Sequence, residues 1–371
     1  MKREYKIFAV NPGSTSTKIA MFKGDRCIFS KNVGHDSDQL KAYGSINDQL
    51  PYRKKTILTE LEKESISLKG VDAFVGRGGG SFSVAGGTYE ISGLLLEHTK
   101  NSVVGVEHPA KLGIQLADEF VHEFGGRGFI VNPPNVDEYQ DIARVTGIDG
   151  VYRSSNLHAL NQKEMAIRHA DSMGRKYEDC NFIGCHIGGG ISVVAHRRGR
   201  MIDGNDIVGG EGPMAPTRCG SLPVIEVMKL CFSESYTVKE LKDKMMKSGG
   251  FADILGTSDA REVIRRASEG DRKAKLYWEA MIYQIIKMVG AMAAVLKGEV
   301  DGILLGGGMV HDRSLVDSIT EACDFIARVT PYPGEFEMEA MAAGAIRILS
   351  GKEQLKTYQG KPVWSGFDFR S

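Results

Sequence analysis

Short apolar runs end at small-residue turns in two places, and the two places share one pattern. Residues 11–26 correspond to residues 186–201, and each copy follows an apolar strand, residues 7–10 in the first and 182–187 in the second. Turns of this kind leave backbone N–H groups unobstructed, which suits the binding of phosphate oxygens. The duplication predicts two similar domains that face one polyphosphate. Three small residues correspond between the copies: Gly13 with Gly188, Ala20 with Ala195 and Gly24 with Gly199.

A third apolar run, residues 300–305, is followed directly by a glycine triplet. Open α/β sheets commonly bind nucleotides at the carboxyl ends of such strands, where glycines let the backbone approach a ligand. A glycine triplet alone is more often a plain turn, so this signal gains its weight from the duplicated turns. The triplet is Gly306, Gly307 and Gly308.

The wider pattern predicts an α/β chain of two domains. The 371 residues suit two cores, and the repeat places the boundary near residue 153, with domains 1–152 and 153–345 and with 346–371 completing the first. The second half restarts the pattern at Asn181. Predicted strands lie near 4–10, 17–23, 26–33, 71–75, 129–131 and 300–305, and predicted helices lie near 47–66, 109–125, 278–297 and 338–350.

Charge and cysteine usage exclude several classes of function. Lys and Arg together number 47, and Asp and Glu together also number 47. This balance gives no excess of positive charge that would indicate binding to nucleic acid or to an anionic membrane. The six cysteines form no CxxC pair, which favours reduced thiols in the cytoplasm and no zinc site. The amino terminus does not resemble a signal peptide, and the apolar run of the helix near 278–297 is too short to span a bilayer.

Five motifs in one order resemble the acetokinases, within the acetate and sugar kinase, Hsp70 and actin superfamily. They are NPGSTSTK at 11–18, CHIGGG at 185–190, PTRCGS at 216–221, LGTSDARE at 255–262 and LGGG at 305–308. FVGRGGG at 74–80 and HALNQK at 158–163 resemble the butyrate and branched-chain fatty acid kinases. The resemblance implies two ribonuclease H-like (actin-like ATPase) domains with a duplicated βββαβαβα core around a nucleotide cleft.

The resemblance implies transfer of the ATP γ-phosphoryl group to butyrate or a similar short or branched-chain acid, with Mg²⁺ as cofactor. A carboxylate is already ionised at neutral pH, so the chemistry needs neutralisation of charge more than a base. An acetate or propionate kinase is the alternative within the class. A non-catalytic, ATP-gated module of the Hsp70 or actin type is the alternative outside it. A homodimer or higher homo-oligomer is expected.

The resemblance assigns four residues to the transferring groups. Arg77 would bind the acyl carboxylate, and Arg218 would bind the transferring phosphoryl group. His186 would donate to the phosphoryl oxygens. His158 would assist transfer, or else cap the helix that begins there. The role of His108 stays open.

The remaining assignments concern the metal and the nucleotide. Asp137 resembles the aspartate near the metal, with Glu138 as the local alternative, and Glu339 resembles the carboxylate that orients Mg²⁺ through water. Glu335 and Glu337 lie close enough in sequence to exchange roles with Glu339. Asp259 and Arg261 resemble a nucleotide-contacting run, although Thr257 or Ser258 could cap a helix there. The other nucleotide-binding candidates are Asn11, Ser14, Ser16, Lys18, Gly188, Gly189, Gly190, Gly306, Gly307 and Gly308.

Acyl chain length is predicted from the residues after Arg77. Acetate kinases carry a bulkier apolar residue where this chain has Gly78 and Gly79. A wider pocket favours a four-carbon acid over acetate, because each buried methylene contributes about 0.8 kcal/mol. Propionate, valerate and isobutyrate are expected to react as well.

Overall fold

The computed structural model describes residues 3–105 and 107–368, which contain two β-sheets. The strands are β1 (Lys6–Pro12), β2 (Ser16–Lys23), β3 (Arg26–Gly34), β4 (Ala73–Gly76), β5 (Thr88–Glu90), β6 (Arg127–Val131), β7 (Asn181–Ile187), β8 (Ile191–Arg197), β9 (Arg200–Gly204), β10 (Gly302–Gly307) and β11 (Val329–Pro333). The helices are α1 (Ser37–Lys41), α2 (Leu50–Lys63), α3 (Gly93–Lys100), α4 (Lys111–Phe124), α5 (Asp141–Arg144), α6 (Ala159–Ser172), α7 (Val224–Cys231), α8 (Val238–Met246), α9 (Phe251–Leu255), α10 (Ala260–Ser268), α11 (Arg272–Val295), α12 (Arg313–Cys323) and α13 (Glu337–Leu349). Short 3₁₀ helices cover Asn47–Gln49, Tyr177–Asp179 and Gly308–His311.

The two sheets repeat one topology. The first has the order β3-β2-β1-β4-β6-β5, and the second, written from β9, has the order β9-β8-β7-β10-β11. In each, three antiparallel strands are followed by two strands parallel to the first of them. The predicted α/β class and duplicated core are thereby confirmed. The glycines predicted to follow the strand at 300–305 partly belong to it, since β10 extends to Gly307.

The central strands β1 and β4 of the first sheet are buried on both faces. Phe8 and Phe74 pack against α4 through Leu116 in one apolar cluster. Ala9 and Val75 alternate with those two phenylalanines and therefore point to the opposite face, where they too are fully buried. Helix α13 contacts β1, β4 and β6 of this sheet. Burial on both faces explains why these strands read as continuous apolar runs.

The second sheet is also covered by helices. Helix α11 contacts β7, β8 and β9 and contributes Met281 and Ile285 to the largest apolar cluster, whereas Met165 of α6 packs with Phe182 and Leu304. Helix α11 begins earlier than predicted, because the carboxylate of Asp271 caps it by accepting hydrogen bonds from two backbone N–H groups of its first turn. Within residues 3–105 and 107–368, no helix combines the length and the apolar character that a membrane crossing requires.

The compact units differ from the predicted domain boundaries. One unit comprises Met1–Asp137 and Phe336–Ser371, and the other comprises Glu138–Glu335. The sequence repeat places the boundary near residue 153, but the chain enters the second unit at Glu138, whose buried carboxylate pairs with Lys163 at 2.8 Å. Arg153 is already deep in that unit, paired with Asp203 and Glu211.

A pair of glycines brings α4 against β4. A Cβ atom on Gly76 would lie 2.8 Å from the backbone nitrogen of Ile114, and one on Gly113 would lie 2.7 Å from the backbone nitrogen of Arg77. Both contacts are with backbone, which cannot move aside as a flexible side chain can. The close approach fixes the position of Arg77, the residue that follows β4.

We expect Gly113→Ala to lower the free energy of unfolding by about 1–3 kcal/mol, because overpacking here must separate helix from strand. The matched control is Gly290→Ala in α11, where a Cβ atom would meet nothing within 4 Å. That control should be neutral or stabilising by up to about 1 kcal/mol, since Ala favours helix over Gly. Urea unfolding of both variants measures the difference, and equal effects would contradict the close packing of α4 on β4.

Candidate active site

A buried arginine holds the first small-residue turn from behind. The Arg53 guanidinium is fully buried and donates to the carbonyl oxygens of Ser14 and Ser16, at 3.3 Å each, and to the Thr17 hydroxyl at 3.1 Å. Burial lowers the pKa of Arg53 to about 10, so the group stays charged at neutral pH. The predicted phosphate-binding residues of this segment lie on the turn and the strand ends beside it: Asn11, Ser14, Ser16 and Lys18.

Arg77 lies at the carboxyl end of β4 beside a carboxylate from α13. Its Nη2 is 3.4 Å from Oε1 of Glu337, and the amide of Asn11 donates to Oε2 of Glu337 at 2.7 Å. Nη1 of Arg77 is buried and has no hydrogen-bond partner among the described residues. A buried donor without an acceptor costs about 1–3 kcal/mol, so this guanidinium is suited to bind a further anion.

The three candidate carboxylates near residue 337 have different surroundings. Glu337 faces Asn11 and Arg77, as described above. Oε1 of Glu335 lies 3.8 Å from Nε2 of His186. Glu339 is half-buried near Cys27, and its charge adds to the effect of burial in raising the pKa of that thiol.

Two stacked imidazoles lie beside the second turn. The rings of His158 and His186 have centroids 3.8 Å apart and planes inclined by 15°. His186 is buried near the end of β7, and its Nδ1 accepts a hydrogen bond from the amide of Asn161 at 2.9 Å. His158 is the first residue before α6 but makes no side-chain cap to that helix. The capping alternative for His158 is therefore wrong, and its Nδ1 lies instead 3.0 Å from Oγ of Ser192.

Arg218 covers the glycine turn that follows His186. A Cβ atom on Gly190 would lie 2.6 Å from Cζ of Arg218, so only glycine allows the guanidinium this position. The neighbouring Thr217 hydroxyl donates to the carbonyl oxygen of Gly189 at 3.1 Å. Nε and Nη1 of Arg218 are buried without partners among the described residues. These donors, above a turn of small residues, fit phosphate oxygens.

The candidate metal residues are single carboxylates. Asp137 is half-buried, and its backbone N–H donates to the carbonyl oxygen of Val84 at 2.8 Å. The alternative residue Glu138 uses both carboxylate oxygens within the fold, one toward Lys163 and one toward the backbone of Met201 at 2.8 Å. Within the described residues, no group of three His, Cys, Asp or Glu side chains forms a ready cluster of metal ligands.

The predicted nucleotide-contacting run begins a helix. Asp259 caps α10 by accepting from the backbone N–H of Arg261, so the expectation that Thr257 or Ser258 would be the cap is wrong. The Thr257 hydroxyl instead accepts from the backbone N–H of Asp259 at 3.2 Å. Arg261 is exposed and pairs with Asp259 at 2.8 Å. The run is thus a helix start, and its contact with a nucleotide stays a prediction.

The glycine triplet divides between two elements. Gly306 and Gly307 end β10, and Gly308 begins the 3₁₀ helix beyond it. The N–H of Gly307, which has φ +100°, donates to the carbonyl oxygen of Gly334 at 2.9 Å. Gly308 is exposed and would be the member of the triplet most accessible to a ligand.

His108 lies close to Arg77 and ahead of α4. Its Nδ1 accepts a hydrogen bond from the backbone N–H of Ala110 at 3.1 Å. Desolvation, and then the charge of Arg77, lower the pKa of His108. An accepting Nδ1 leaves the proton of the neutral ring on Nε2.

Several residues around the two sites were not identified from the sequence. Asn161 contacts His186, Ser192 contacts His158, and Arg53 supports the first turn. Glu337 was named only as an alternative to Glu339, and its contact with Arg77 was not foreseen. Asn161 belongs to the HALNQK run, so the motif itself was the signal for that residue. No motif contains Arg53, and an arginine within a polar helix is expected to lie at the surface, so its buried position could not be predicted.

Comparison with known proteins identifies the family of this chain. The profile of the Acetokinase family matches residues 134–325. Butyrate kinase 2 of Clostridium acetobutylicum is 44% identical over 356 residues, which cover 96% of this chain and all of that protein. The chain belongs to the acetokinase family. The Porphyromonas gingivalis acetate kinase structure has a TM-score of 0.74 at 20% identity, with 93% of this chain and 100% of that one covered. A Francisella tularensis propionate kinase gives 0.70 at 18% identity, with 92% and 98% covered.

A buried histidine near the site should make the stability of this acetokinase depend on pH. Burial lowers the pKa of His196 from 6.5 to about 3. Between these values the unfolded chain binds a proton that the folded protein excludes, so stability falls as pH falls from 6.5 toward 3. The slope contributed by this group should be about 1.4 kcal/mol per pH unit.

We expect His196→Gln to lose this contribution, so that its unfolding free energy falls less steeply than that of the wild type below about pH 6. Urea unfolding at a series of pH values measures both slopes. The control is His122→Gln at a histidine that is 76% exposed, which separates the effect of the buried position from the loss of an imidazole. Parallel curves for wild type and His196→Gln would contradict a buried neutral His196.

Proposed function

We propose that this acetokinase transfers the γ-phosphoryl group of ATP to butyrate, in a reversible reaction that gives butyryl phosphate and ADP. The observation that carries the proposal is the pair of arginines with buried, unpartnered donors, one in each unit. One guanidinium suits the carboxylate, and the other suits the phosphoryl group. The similarity to Butyrate kinase 2 supports butyrate as the acid.

Arg77 would bind the carboxylate of the acid. The contact of Glu337 with Arg77 supports this assignment, because it shows this guanidinium beside a carboxylate, the group that the acid would present to it. Asn11 also donates to the Glu337 carboxylate. The glycines after Arg77 would leave room for the acyl chain. Gly78 is packed against Pro133, where a Cβ atom would come within 2.7 Å of the proline Cβ, whereas one on Gly79 would meet nothing closer than 3.8 Å.

Arg218, His186 and His158 would stabilise the transferring phosphoryl group. One carboxylate oxygen forms a bond to the γ-phosphorus while the bond from that phosphorus to the bridging oxygen of ADP breaks. The acid is ionised at neutral pH, so no proton has to be removed from it. Donors of N–H hydrogen bonds, rather than a base, are the groups that lower this barrier.

Nucleotide and metal would use the remaining candidates. The turn of Gly188, Gly189 and Gly190 would hold phosphate oxygens, and Mg²⁺ would neutralise charge on the phosphates. Asp137 and Glu339 would hold the metal, which takes few protein ligands and keeps several waters. A cytoplasmic location and a homo-oligomeric state stay predictions. The other proposed nucleotide contacts are Asn11, Ser14, Ser16, Lys18, Asp259, Arg261, Gly306, Gly307 and Gly308.

The activity is tested by trapping acyl phosphate as hydroxamate with ATP, Mg²⁺ and a series of acids. We expect kcat/KM for butyrate to exceed that for acetate by about 10- to 200-fold for each methylene that the pocket discriminates. Propionate should lie between them. Equal or higher efficiency with acetate would make the enzyme an acetate kinase, and no product with any acid would overturn the carboxylate kinase proposal.

Replacing Arg77 and replacing Arg218 should have different kinetic effects. Arg77→Ala should raise KM for butyrate and lower kcat, because the group both neutralises and orients the acid. Arg218→Ala should lower kcat by roughly 10² or more with a smaller effect on KM for the acid, as expected for a donor that acts in the transition state. Arg265→Ala is the control, since that arginine is 59% exposed and pairs at the surface with Glu269. An unchanged KM in Arg77→Ala would remove Arg77 from the acid site.

A further inference from the structure

A run of buried hydrogen bonds leads from the core of the second unit to His158. The Tyr177 hydroxyl is 2.7 Å from Nδ1 of His196, and Nε2 of His196 is 3.2 Å from Oε1 of Gln162. Nε2 of Gln162 is 3.1 Å from Oγ of Ser192, which is 3.0 Å from Nδ1 of His158. His196, Gln162 and Ser192 are fully buried, so each donor and acceptor in the run must be satisfied by protein.

The direction of these bonds follows from Gln162. Its amide nitrogen lies 3.3 Å from the carbonyl oxygen of Gly184 and 3.1 Å from that of Ser192, and carbonyl oxygens can only accept. Its amide oxygen therefore faces His196, whose Nε2 must carry the proton. Nδ1 of His196 then accepts from Tyr177. Burial keeps the pKa of His196 at about 3 and that of Tyr177 well above its ordinary value, so neither group changes its proton at neutral pH.

The same reasoning orients the Ser192 hydroxyl. An amide nitrogen cannot accept a hydrogen bond, so the hydroxyl hydrogen of Ser192 cannot point at Gln162. Among the described residues its one remaining partner is Nδ1 of His158. If His158 donated to Ser192 instead, the buried hydroxyl hydrogen would be left without an acceptor, at a cost of about 1–3 kcal/mol.

We propose that Ser192, oriented by Gln162, is a positioning residue that fixes His158 in the tautomer with its proton on Nε2. The proposal rests on the proposed function for its catalytic meaning. His158 would enter phosphoryl transfer as a neutral N–H donor and not as a base, in keeping with an acid substrate that needs no deprotonation. Its stacking partner His186 is held in the same tautomer by Asn161.

The tautomer can be observed directly by ¹⁵N NMR of the histidine rings in the full chain without substrate. In the wild type we expect a single His158 form, with the proton on Nε2 and a bare, hydrogen-bonded Nδ1. Ser192→Ala removes the hydroxyl donor and should add a population protonated on Nδ1. Ser192→Thr keeps the hydroxyl and should restore the single form. A wild-type ring protonated on Nδ1 would overturn the proposal, and that observation needs no variant to fold.

The control is Cys185→Ala, which removes one buried heteroatom from the neighbouring strand β7 without touching the hydrogen-bonded run. It should leave the His158 spectrum unchanged. In the acyl phosphate assay, Ser192→Ala should lower kcat by about three- to tenfold with KM values nearly unchanged, and Ser192→Thr should recover it.

The two proposals fail in different ways. If the wild type phosphorylates no acid but Ser192→Ala still adds a His158 population protonated on Nδ1, the proposed carboxylate kinase function is wrong and the positioning role of Ser192 stands. If Ser192→Ala keeps the single tautomer in an active enzyme, the positioning role is wrong and the function stands.

Discussion

The need to satisfy buried hydrogen-bond donors governs the arrangement of both candidate sites. A guanidinium in the interior has five N–H groups, and each one left without an acceptor costs about 1–3 kcal/mol. Arg77 and Arg218 both keep such donors; Arg77 follows the end of β4, and Arg218 lies in a turn between β9 and α7. Native proteins seldom retain this cost without a reason. An anionic substrate is the partner that would remove it.

Close backbone packing brings these arginines into position. Gly113 lets α4 approach the backbone of Arg77, and Gly190 leaves the space that the Arg218 side chain fills. At both positions a Cβ atom would clash: on Gly113 with the backbone of Arg77, and on Gly190 with the guanidinium of Arg218. The positions of both arginines therefore depend on glycines that supply no side chain of their own.

The architecture could be predicted because its signals are local in sequence: the duplicated turns, and the continuous apolar runs of strands that are buried on both faces. Through motifs the sequence also named Arg77, His158, His186 and Arg218 as candidate site residues, and their roles stay predictions. It could not predict which residues would hold them. Ser192 and His158 are 34 positions apart, and Asn161 and His186 are 25 apart, so these pairs depend on strand register and helix docking. The helix cap at Asp259 was misassigned because three neighbouring residues all had suitable side chains.

The two duplicated turns differ in how their arginines use their donors. Arg53 directs its guanidinium at Gln49, Ser14, Ser16 and Thr17, and none of its nitrogens lacks a partner. Arg218 lies against the corresponding turn of the second unit with two nitrogens unpartnered. Arg53 uses its donors to hold the first turn, whereas Arg218 lies beside the second turn with two nitrogens that have no partner among the described residues. The same topology, used twice, thus has its first turn held by a fully partnered arginine and its second turn beside an arginine that keeps two donors for a further acceptor.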